Sequence, residues 1–250
     1  KDRAPTFTDH LDRLIVDVGQ VSAVRSAVER LALSGRLTGR GPVIDYKQSD
    51  AQMGPQLPPA WKWQTVGGVV RSLRYGTSVK CTYDSGGTPV LRIPNVSSGR
   101  ITLDDLKFGN LKAREAEELR LQAEDVLVIR SNGSLDLVGR AVPLDSSCIG
   151  FCYAGYLIRL RCDTEVIDPN YLAFILGTQP SHQQIEVPIR SAVGLKNVNA
   201  TELRKIRIPL PPLKEQREIV RRVANVHRAV EHLVDAFETE ACIIDLEESA

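Results

Sequence analysis

The sequence lacks long hydrophobic runs, is poor in aromatic residues and carries almost no net charge. No stretch reaches the roughly 18 consecutive apolar residues of a membrane-spanning helix, so none is predicted. Phe, Trp and Tyr make up 5% of the chain, which gives no support to a single-strand binder that stacks bases on aromatic rings. The first residues also lack the apolar stretch of a secretion signal. We therefore expect a cytoplasmic globular protein.

Motifs for metal binding and for catalysis are equally scarce. Cys148, Cys152 and Cys162 have neither a second close cysteine pair nor a nearby histidine, so reduced, buried thiols are expected rather than a zinc site. His227 and His232 do not have the spacing of metal ligands on one helix face. The chain contains no glycine-rich nucleotide-binding loop and no G-x-S-x-G motif. These absences predict no catalytic residue, no metal and no cofactor.

One short segment, DPNY at residues 168–171, has two interpretations. It resembles the D-P-P-Y motif of amino-group methyltransferases, but the second proline is missing and no cofactor loop precedes it. Alternatively, Asp168 is the N-cap and Pro169 the first residue of a helix. The helix-cap interpretation is favoured over a stand-alone methyltransferase.

Both ends of the chain have the apolar periodicity of amphipathic helices. Residues 8–36 are predicted to form a helix that begins at Thr8 and stops at Gly35. At the other end, IPLPPLKEQREIVRRV changes from an extended, proline-rich segment into a long helix that begins near Pro212. The apolar seam comprises Leu14, Val18, Val21 and Val28 in the first helix, and Ile219, Val223, Val226, Val230, Leu233 and Phe237 in the second.

This seam predicts that the two helices pair as an antiparallel coiled coil outside the central domain. The alternative is that both helices pack on the sheet of that domain. A narrow seam flanked by charged residues favours the coiled coil. The second helix would be roughly 50 Å long, a length typical of a spacer.

Residues 57–208 contain short β-type runs and helical segments that do not alternate regularly. WQTVGGVV, PVLRIPNV, DVLVIRS, LVGRAVPL and GYLIRLRC are predicted strands, and LKAREAEELRLQ and PNYLAFILGTQ are predicted helices. This arrangement predicts an α+β domain with a mixed, largely antiparallel sheet. In RSNGSLD, Asn132-Gly133 readily adopts positive φ, which favours a hairpin or an exposed loop. Residues 57–212 also carry a net charge of +4, whereas residues 213–250 carry −4.

Taken in order, several segments resemble the specificity subunit of type I restriction–modification systems. LPPAWKW resembles the start of a target recognition domain in that family, and IPLPPLKEQREIVRRV its exit into a spacer helix. Other matching segments are VRSAVERLALSGRLTG, PVLRIPNVSSGRITLDDLK, AEDVLVIRSNGSLDLVGRAV and RSAVGLKNVNATELRKIRIPLPPL. The resemblance implies an N-terminal spacer helix and linker (1–56), a target recognition domain (57–208) and a long C-terminal spacer helix (209–250).

The resemblance also implies a non-catalytic subunit that recognises DNA. Such a subunit would read one half of a bipartite target in double-stranded DNA and dock the methyltransferase subunit, which modifies adenine. A translocase–nuclease subunit would complete the complex. The family usually has two recognition domains, so this chain is either a fragment or a half-sized subunit that pairs with itself. The alternative is a protein-interaction adaptor with a coiled-coil dimerisation element and no DNA reading.

Candidate DNA contacts lie in turn-like segments rich in side-chain donors. Arg and Asn are suited to base edges, whereas Lys, Arg, Ser and Thr are suited to phosphates. The predicted residues are Arg74, Thr77, Ser78, Lys80, Arg92, Asn95, Arg100, Arg130, Ser131, Asn132, Ser134, Arg140, Arg190, Lys196, Asn197 and Asn199.

Some of these residues also have a structural interpretation. Asn132 is equally compatible with a turn that needs no ligand, and for Asn95 such a turn is favoured, because Asn side chains commonly bond the backbone two or three residues away. Arg92 and Arg130 lie inside apolar runs and are alternatively buried and paired. For Lys196, which follows a glycine in a polar stretch, DNA contact is favoured.

Overall fold

The computed structural model describes residues 20–39, 57–190 and 197–248, without the side chains of 135, 186–190 and 237–248. By its internal contacts the chain divides into two compact units, residues 1–61 with 217–250, and residues 62–216. The predicted boundaries at 56 and 208 remain predictions. In the described part of the chain, no helix is long and apolar enough to cross a membrane. Leu14, Val18 and Lys196 lie outside the described residues.

The secondary structure has the following bounds. The strands are Lys62–Thr65 (β1), Val70–Tyr75 (β2), Cys81–Thr82 (β3), Thr88–Leu91 (β4), Lys107–Gly109 (β5), Asp125–Ile129 (β6), Ala141–Pro143 (β7), Cys152–Tyr153 (β8), Leu157–Cys162 (β9) and Arg207–Leu210 (β10). The helices are Val21–Leu33 (α1), Ala113–Leu119 (α2), Pro169–Leu176 (α3), Gln179–Arg190 (α4), Ala200–Lys205 (α5) and Leu213–Glu248 (α6).

The larger sheet of the 62–216 unit has the strand order β2-β9-β6-β7. All its neighbours are antiparallel. The two inner strands are buried along almost their whole length. This burial explains why DVLVI is a nearly continuous apolar run. LIRLRC includes two arginines, Arg159 and Arg161, which lie near the buried carboxylate of Asp125.

A second sheet, β3-β5-β4-β8, shares its core with the first. Only the β4–β8 pair in this sheet is parallel. Leu127 and Ile129 of the first sheet lie in one buried cluster with Val90, Leu91 and Tyr153 of the second. The predicted α+β class with a mixed, largely antiparallel sheet arrangement is confirmed.

Three cysteines lie in the interior of this unit. Cys148, Cys152 and Cys162 are free and buried, as the sequence predicts. Burial raises the pKa of the Cys152 thiol to about 11 and that of Cys162 to about 12. Both thiols therefore stay protonated and poorly nucleophilic at neutral pH.

The beginning and the end of the 62–216 unit pair with each other. β1 and β10 form a two-stranded antiparallel sheet in which Lys62 lies opposite Leu210 and Thr65 opposite Arg207. The proline-rich segment is extended, as predicted. Its pairing with β1 was not predicted from the sequence. The carbonyl of Pro212 accepts hydrogen bonds from the backbone N–H groups of Glu215 and Gln216. Pro212 therefore immediately precedes α6 instead of lying in its first turn.

The DPNY segment is a helix cap. The side chain of Asp168 accepts hydrogen bonds from the backbone N–H groups of Asn170 (2.9 Å) and Tyr171 (3.3 Å), and Pro169 is the first residue of α3. The buried hydroxyl of Tyr171 donates to the carbonyl of Pro209 (2.9 Å). The favoured interpretation is confirmed, and the tyrosine hydroxyl is bonded to the backbone of β10.

Gln216 links the start of α6 to the cap of α3. Its Oε1 accepts from the backbone N–H of Asp168 (2.8 Å), and its Nε2 donates to the carbonyls of Val166 (3.0 Å) and Pro211 (2.9 Å). The side chain is fully buried. It therefore satisfies three backbone groups, two in the connection before α3 and one just before α6.

We expect Gln216→Ala to lower the free energy of unfolding by about 2–3 kcal/mol, because buried backbone donors and acceptors would lose their partners. Urea denaturation followed by tryptophan fluorescence measures this loss. Lys214→Ala, at an exposed position of the same helix turn, is the matched control and should change stability by less than about 0.5 kcal/mol. Equal stability of both variants would contradict a structural role for Gln216.

The other unit contains α1 and most of α6. Gly35, which follows α1, has a φ of 70°, the left-handed conformation of a helix stop, so the predicted end near Gly35 is confirmed. The buried residues of the two helices are Val24, Val28 and Ala32, and Ile219, Val223, Val226 and Val230. Val21 and Leu233 are only half-buried. The predicted seam omits Val24. This residue is buried because the apolar residues that α1 buries, Val24, Val28 and Ala32, recur every four positions.

Two contacts connect the N-terminal segment with α6 inside this unit. Arg222 Nη1 donates to the carbonyl of Leu37 (2.7 Å). Burial and the neighbouring Arg25 guanidinium lower the pKa of His227. Leu37 lies near Arg222, and Arg25 lies near His227, so the residue number decreases in one segment while it increases in the other. This order is expected of antiparallel helices. The predicted coiled coil itself remains a prediction.

Candidate nucleic-acid interface

A groove with a volume of about 690 Å³ lies on the 62–216 unit. Its walls come from the end of β2 and the segment after it, from the turn after β4, and from the β8–β9 connection. Five of the predicted DNA contacts line the groove, namely Thr77, Ser78, Lys80, Arg92 and Arg130. The fold thus brings together predicted residues from 77–80, from the turn near residue 92 and from position 130, and Arg130 also bonds the predicted residue Asn197 (3.1 Å).

Backbone pairing fixes one wall of the groove. Thr77 forms a parallel bridge with Ala154, the N–H of Thr77 donates to the carbonyl of Tyr153 (2.9 Å), and the N–H of Gly155 donates to the carbonyl of Thr77 (2.7 Å). A Cβ atom at Gly76 would overlap the carbonyl oxygens of Tyr153 and Ala154. Glycine at this position therefore allows the two segments to approach closely.

Among the residues that the structure describes, the charged side chains that line the groove are all basic, namely Lys80, Arg92, Lys107 and Arg130. Arg92 forms an ion pair with Asp105, next to the groove. Hydrogen bonds from the Tyr83 hydroxyl and from Arg92 lower the pKa of Asp105. Lys107 Nζ lies 4.5 Å from the centroid of the Tyr83 ring. The charge of Arg92 is thus compensated within the protein, as the structural interpretation anticipated.

Thr77 and Arg74, two of the predicted residues, form hydrogen bonds with side chains of helix α2. The hydroxyl of Thr77 donates to Glu115 (2.6 Å), and Arg74 Nη1 donates to Glu118 (2.9 Å). Hydrogen bonds from Arg114 and Arg74 lower the pKa of Glu118, so this carboxylate is ionised at neutral pH. Both predicted residues have partners in the protein before any ligand binds.

Several predicted residues outside the groove occupy local structural positions. Asn95 is fully buried, accepting from the N–H of Arg92 (2.9 Å) and donating to the carbonyl of Thr102 (2.9 Å). Asn199 is the N-cap of α5, with Glu202 completing a capping box. Arg140 donates to the carbonyl of Ser97. For Asn95 in particular, no donor or acceptor of the amide group faces the surface.

The segment around Asn132-Gly133 is an exposed connection between two antiparallel strands, as predicted. β6 and β7, which flank it, pair antiparallel, and Gly133 and Ser134 are exposed. The side chain of Asn132 accepts from the N–H of Ser134 (2.9 Å), which forms an Asx turn. The positive φ in this connection, 89°, belongs to Gly139.

The remaining predicted residues are dispersed. Ser131 is buried and bridges Asn197 through the backbone, whereas Arg100 and Ser134 are exposed. The side chain of Arg190 and all of Lys196 lie outside the described residues. None of the predicted DNA contacts is tested by the fold alone, and all of them remain predictions.

Among the lining residues that sequence reasoning missed are two tyrosines and a lysine, Tyr75, Tyr156 and Lys107. Tyr75 is 39% exposed and Tyr156 61% exposed, which is high for aromatic side chains. Tyr75 lies between the predicted residues Arg74 and Thr77 in the sequence. No sequence signal distinguishes Tyr156 from a core tyrosine such as Tyr153.

Comparisons with known proteins agree with this fold. The curated Type I restriction enzyme StySPI specificity subunit of Salmonella potsdam is 29% identical over 230 residues, and the EcoKI specificity subunit of Escherichia coli K12 is 27% identical over 220 residues. Each alignment covers 87% of this chain and 47% of the relative. The chain therefore spans about half the length of these relatives.

Solved structures show the same fold. The HsdS subunit from Thermoanaerobacter tengcongensis superimposes with a TM-score of 0.58 at 21% identity, over 97% of this chain and 54% of that subunit. A chain from a structure of the type I R-M system, solved to explain its assembly and conformational transition, has a TM-score of 0.60 at 22% identity, over 96% and 54%. The family model described as Type I restriction modification DNA specificity domain matches residues 58–233. The chain belongs to this family of type I restriction–modification specificity domains.

Proposed function

We propose that this chain is the DNA-reading part of a type I restriction–modification specificity subunit and that it recognises one half of a bipartite duplex target. The observation that carries the proposal is the family match over residues 58–233, which includes the groove lined by Lys80, Arg92, Lys107 and Arg130. Lysine and arginine in a groove supply the phosphate contacts that position a protein on DNA. The chain has no catalytic role in this proposal.

The helical unit has a different part in the proposed function. α1 and α6 would pair as an antiparallel coiled coil that spaces recognition domains and docks the adenine methyltransferase subunit. The buried residues Val28 and Val230 and the bond from Arg222 to Leu37 support pairing of these segments. A translocase–nuclease subunit would join the same complex. With one recognition domain, the chain acts either as part of a longer subunit or as a self-associating half-subunit with a palindromic split target.

Measuring the affinity for duplex DNA at several salt concentrations tests the proposal. We expect the affinity to fall strongly as the salt concentration rises. Lys80 is exposed and has no partner among the described residues, so we expect Lys80→Glu to weaken binding about tenfold and to reduce the slope of log affinity against log salt by about 1. Fluorescence anisotropy with labelled duplexes at several salt concentrations measures both quantities. Lys196→Glu should act in the same direction.

Lys62→Glu changes the charge by the same amount at an exposed position of β1 that does not line the groove, and it is the matched control. If both variants weaken binding equally, the groove is not the interface. If the chain binds its partner proteins but shows no duplex affinity, the adaptor alternative replaces the proposed function.

A further inference from the structure

The guanidinium of Arg130 is held on several sides. Its carbon Cζ lies 4.6 Å from the centroid of the Tyr75 ring. Its Nε donates to Asn197 Oδ1 (3.1 Å), and its Nη1 lies 3.5 Å from the carbonyl of Gly155. These contacts use one face and the Nε edge of the guanidinium. The edge formed by Nη1 and Nη2 keeps most of its donors for a ligand.

The groups that hold Arg130 are themselves fixed by the backbone. The hydroxyl of Tyr75 accepts from the N–H of Ala200 (2.8 Å). Asn197 is in a backbone bridge with Ser131, and the N–H of Val198 donates to the carbonyl of Arg130 (2.8 Å). The orientation of the guanidinium is therefore set before a ligand binds, which lowers the entropy cost of a directional contact.

Charge distinguishes Arg130 from the other arginines of the site. Arg74 is paired with Glu118 and Arg92 with Asp105, whereas no carboxylate pairs with Arg130 among the residues that the structure describes. Its positive charge faces the groove without compensation. Lys80 also lacks a partner, but its flexible, exposed side chain suits a phosphate better than a base edge.

We infer that Arg130 reads a guanine in the major groove, with Tyr75 and Asn197 as positioning residues; this inference rests on the proposed function. Two parallel donors on a fixed planar group match the O6 and N7 acceptors of guanine. Asn197 already uses one of the two acceptor positions of its amide oxygen for Arg130 Nε, which is the contact expected of a residue that orients the guanidinium. The half-target of this chain therefore contains at least one G·C pair that depends on Arg130.

Selection from a pool of randomised duplexes, followed by affinity measurements, tests the inference. The wild-type chain should select a motif with a constant G·C pair. Replacing that guanine by 7-deazaguanine, which lacks N7, should weaken wild-type binding about tenfold. Arg130→Ala removes the donor pair, so it should bind the guanine and 7-deazaguanine duplexes with equal affinity.

Positioning by Tyr75 has its own readout. Tyr75→Leu removes the ring and should reduce the preference for guanine over 7-deazaguanine severalfold, whereas Tyr75→Phe keeps the ring and should retain most of it. Asn197→Ala should also reduce the preference, with little change in the salt slope. Thermal unfolding of each variant establishes that it is folded.

The outcomes separate the two hypotheses. A wild-type chain that binds no duplex would refute the proposed function. Sequence-specific binding whose motif has no constant G·C pair would refute only the guanine inference. The same holds if Arg130→Ala keeps its sensitivity to 7-deazaguanine, or if it weakens all duplexes uniformly and lowers the salt slope by about 1, since the contact would then be to another base or to a phosphate.

Discussion

Asp125→Ala should destabilise the 62–216 unit by about 3–5 kcal/mol. The carboxylate of Asp125 is fully buried and accepts from Arg161 Nε (2.8 Å) and Nη2 (2.9 Å) and from the N–H of Gln122 (2.8 Å). Arg159 Nε lies 3.9 Å from the same carboxylate, and its side chain is 6% exposed. Without Asp125, the guanidinium of Arg159 would keep two backbone carbonyls and the face of the Tyr153 ring, but no counter-charge.

Replacing the carboxylate by a methyl group therefore removes the counter-charge of one buried and one half-buried arginine at once. Calorimetry should show the unfolding temperature falling by about 10 °C, given the size of this chain. Asp104→Ala, at an exposed carboxylate, is the control and should shift it by no more than about 1 °C. Asp125→Asn keeps an acceptor without the charge and should lie between them. A shift for Asp125→Ala as small as that of the control would contradict the structural importance of this ion pair.

The second large effect is expected from Val226→Asp combined with Val230→Asp. These side chains are 3% and 0% exposed, and burying a valine contributes roughly 1.5–3 kcal/mol. Introducing two carboxylates adds the cost of burying charge. We expect the unit formed by residues 1–61 and 217–250 to lose its structure while the 62–216 unit stays folded.

Hydrogen exchange by mass spectrometry measures the two units separately. Amides of α1 and of the part of α6 after residue 217 should exchange rapidly in the double variant, and amides of β6 and β9 should stay protected. Ala224→Asp with Asn225→Asp adds the same charges at exposed positions of α6 and should leave both units protected. Unchanged protection of α1 in the Val226 and Val230 variant would refute the pairing of these helices.

Much of the architecture could be predicted because its signals are local. The cap at Asp168 needs only a short polar side chain before Pro169, and β6 and β9 appear as short apolar runs. The extended conformation before α6 follows from its prolines. The family resemblance and its division into helices and a central domain rest on segments of this kind.

The candidate site was predictable only in part. Lys80 and Arg130 were chosen because they are basic residues in turn-like segments, and both line the groove. The same criterion also selected Asn95, which is fully buried in a turn, because an asparagine that bonds the backbone has the same sequence context as one that faces a ligand. Arg159 was not singled out, although it is the most buried arginine of the described ion pairs.

The sequence by itself therefore determined the helix periodicity, the helix caps and the type of each strand. The residues responsible for these properties lie within a few positions of each other. Only the tertiary structure decided whether a polar side chain is bonded within the protein or is available to a ligand. Arg130 and Asn197 are 67 positions apart, and Arg74 and Glu118 are 44 apart. Whether an arginine faces the groove with its charge available or is neutralised by a carboxylate depends on such distant pairs, which form only when the sheets fold together.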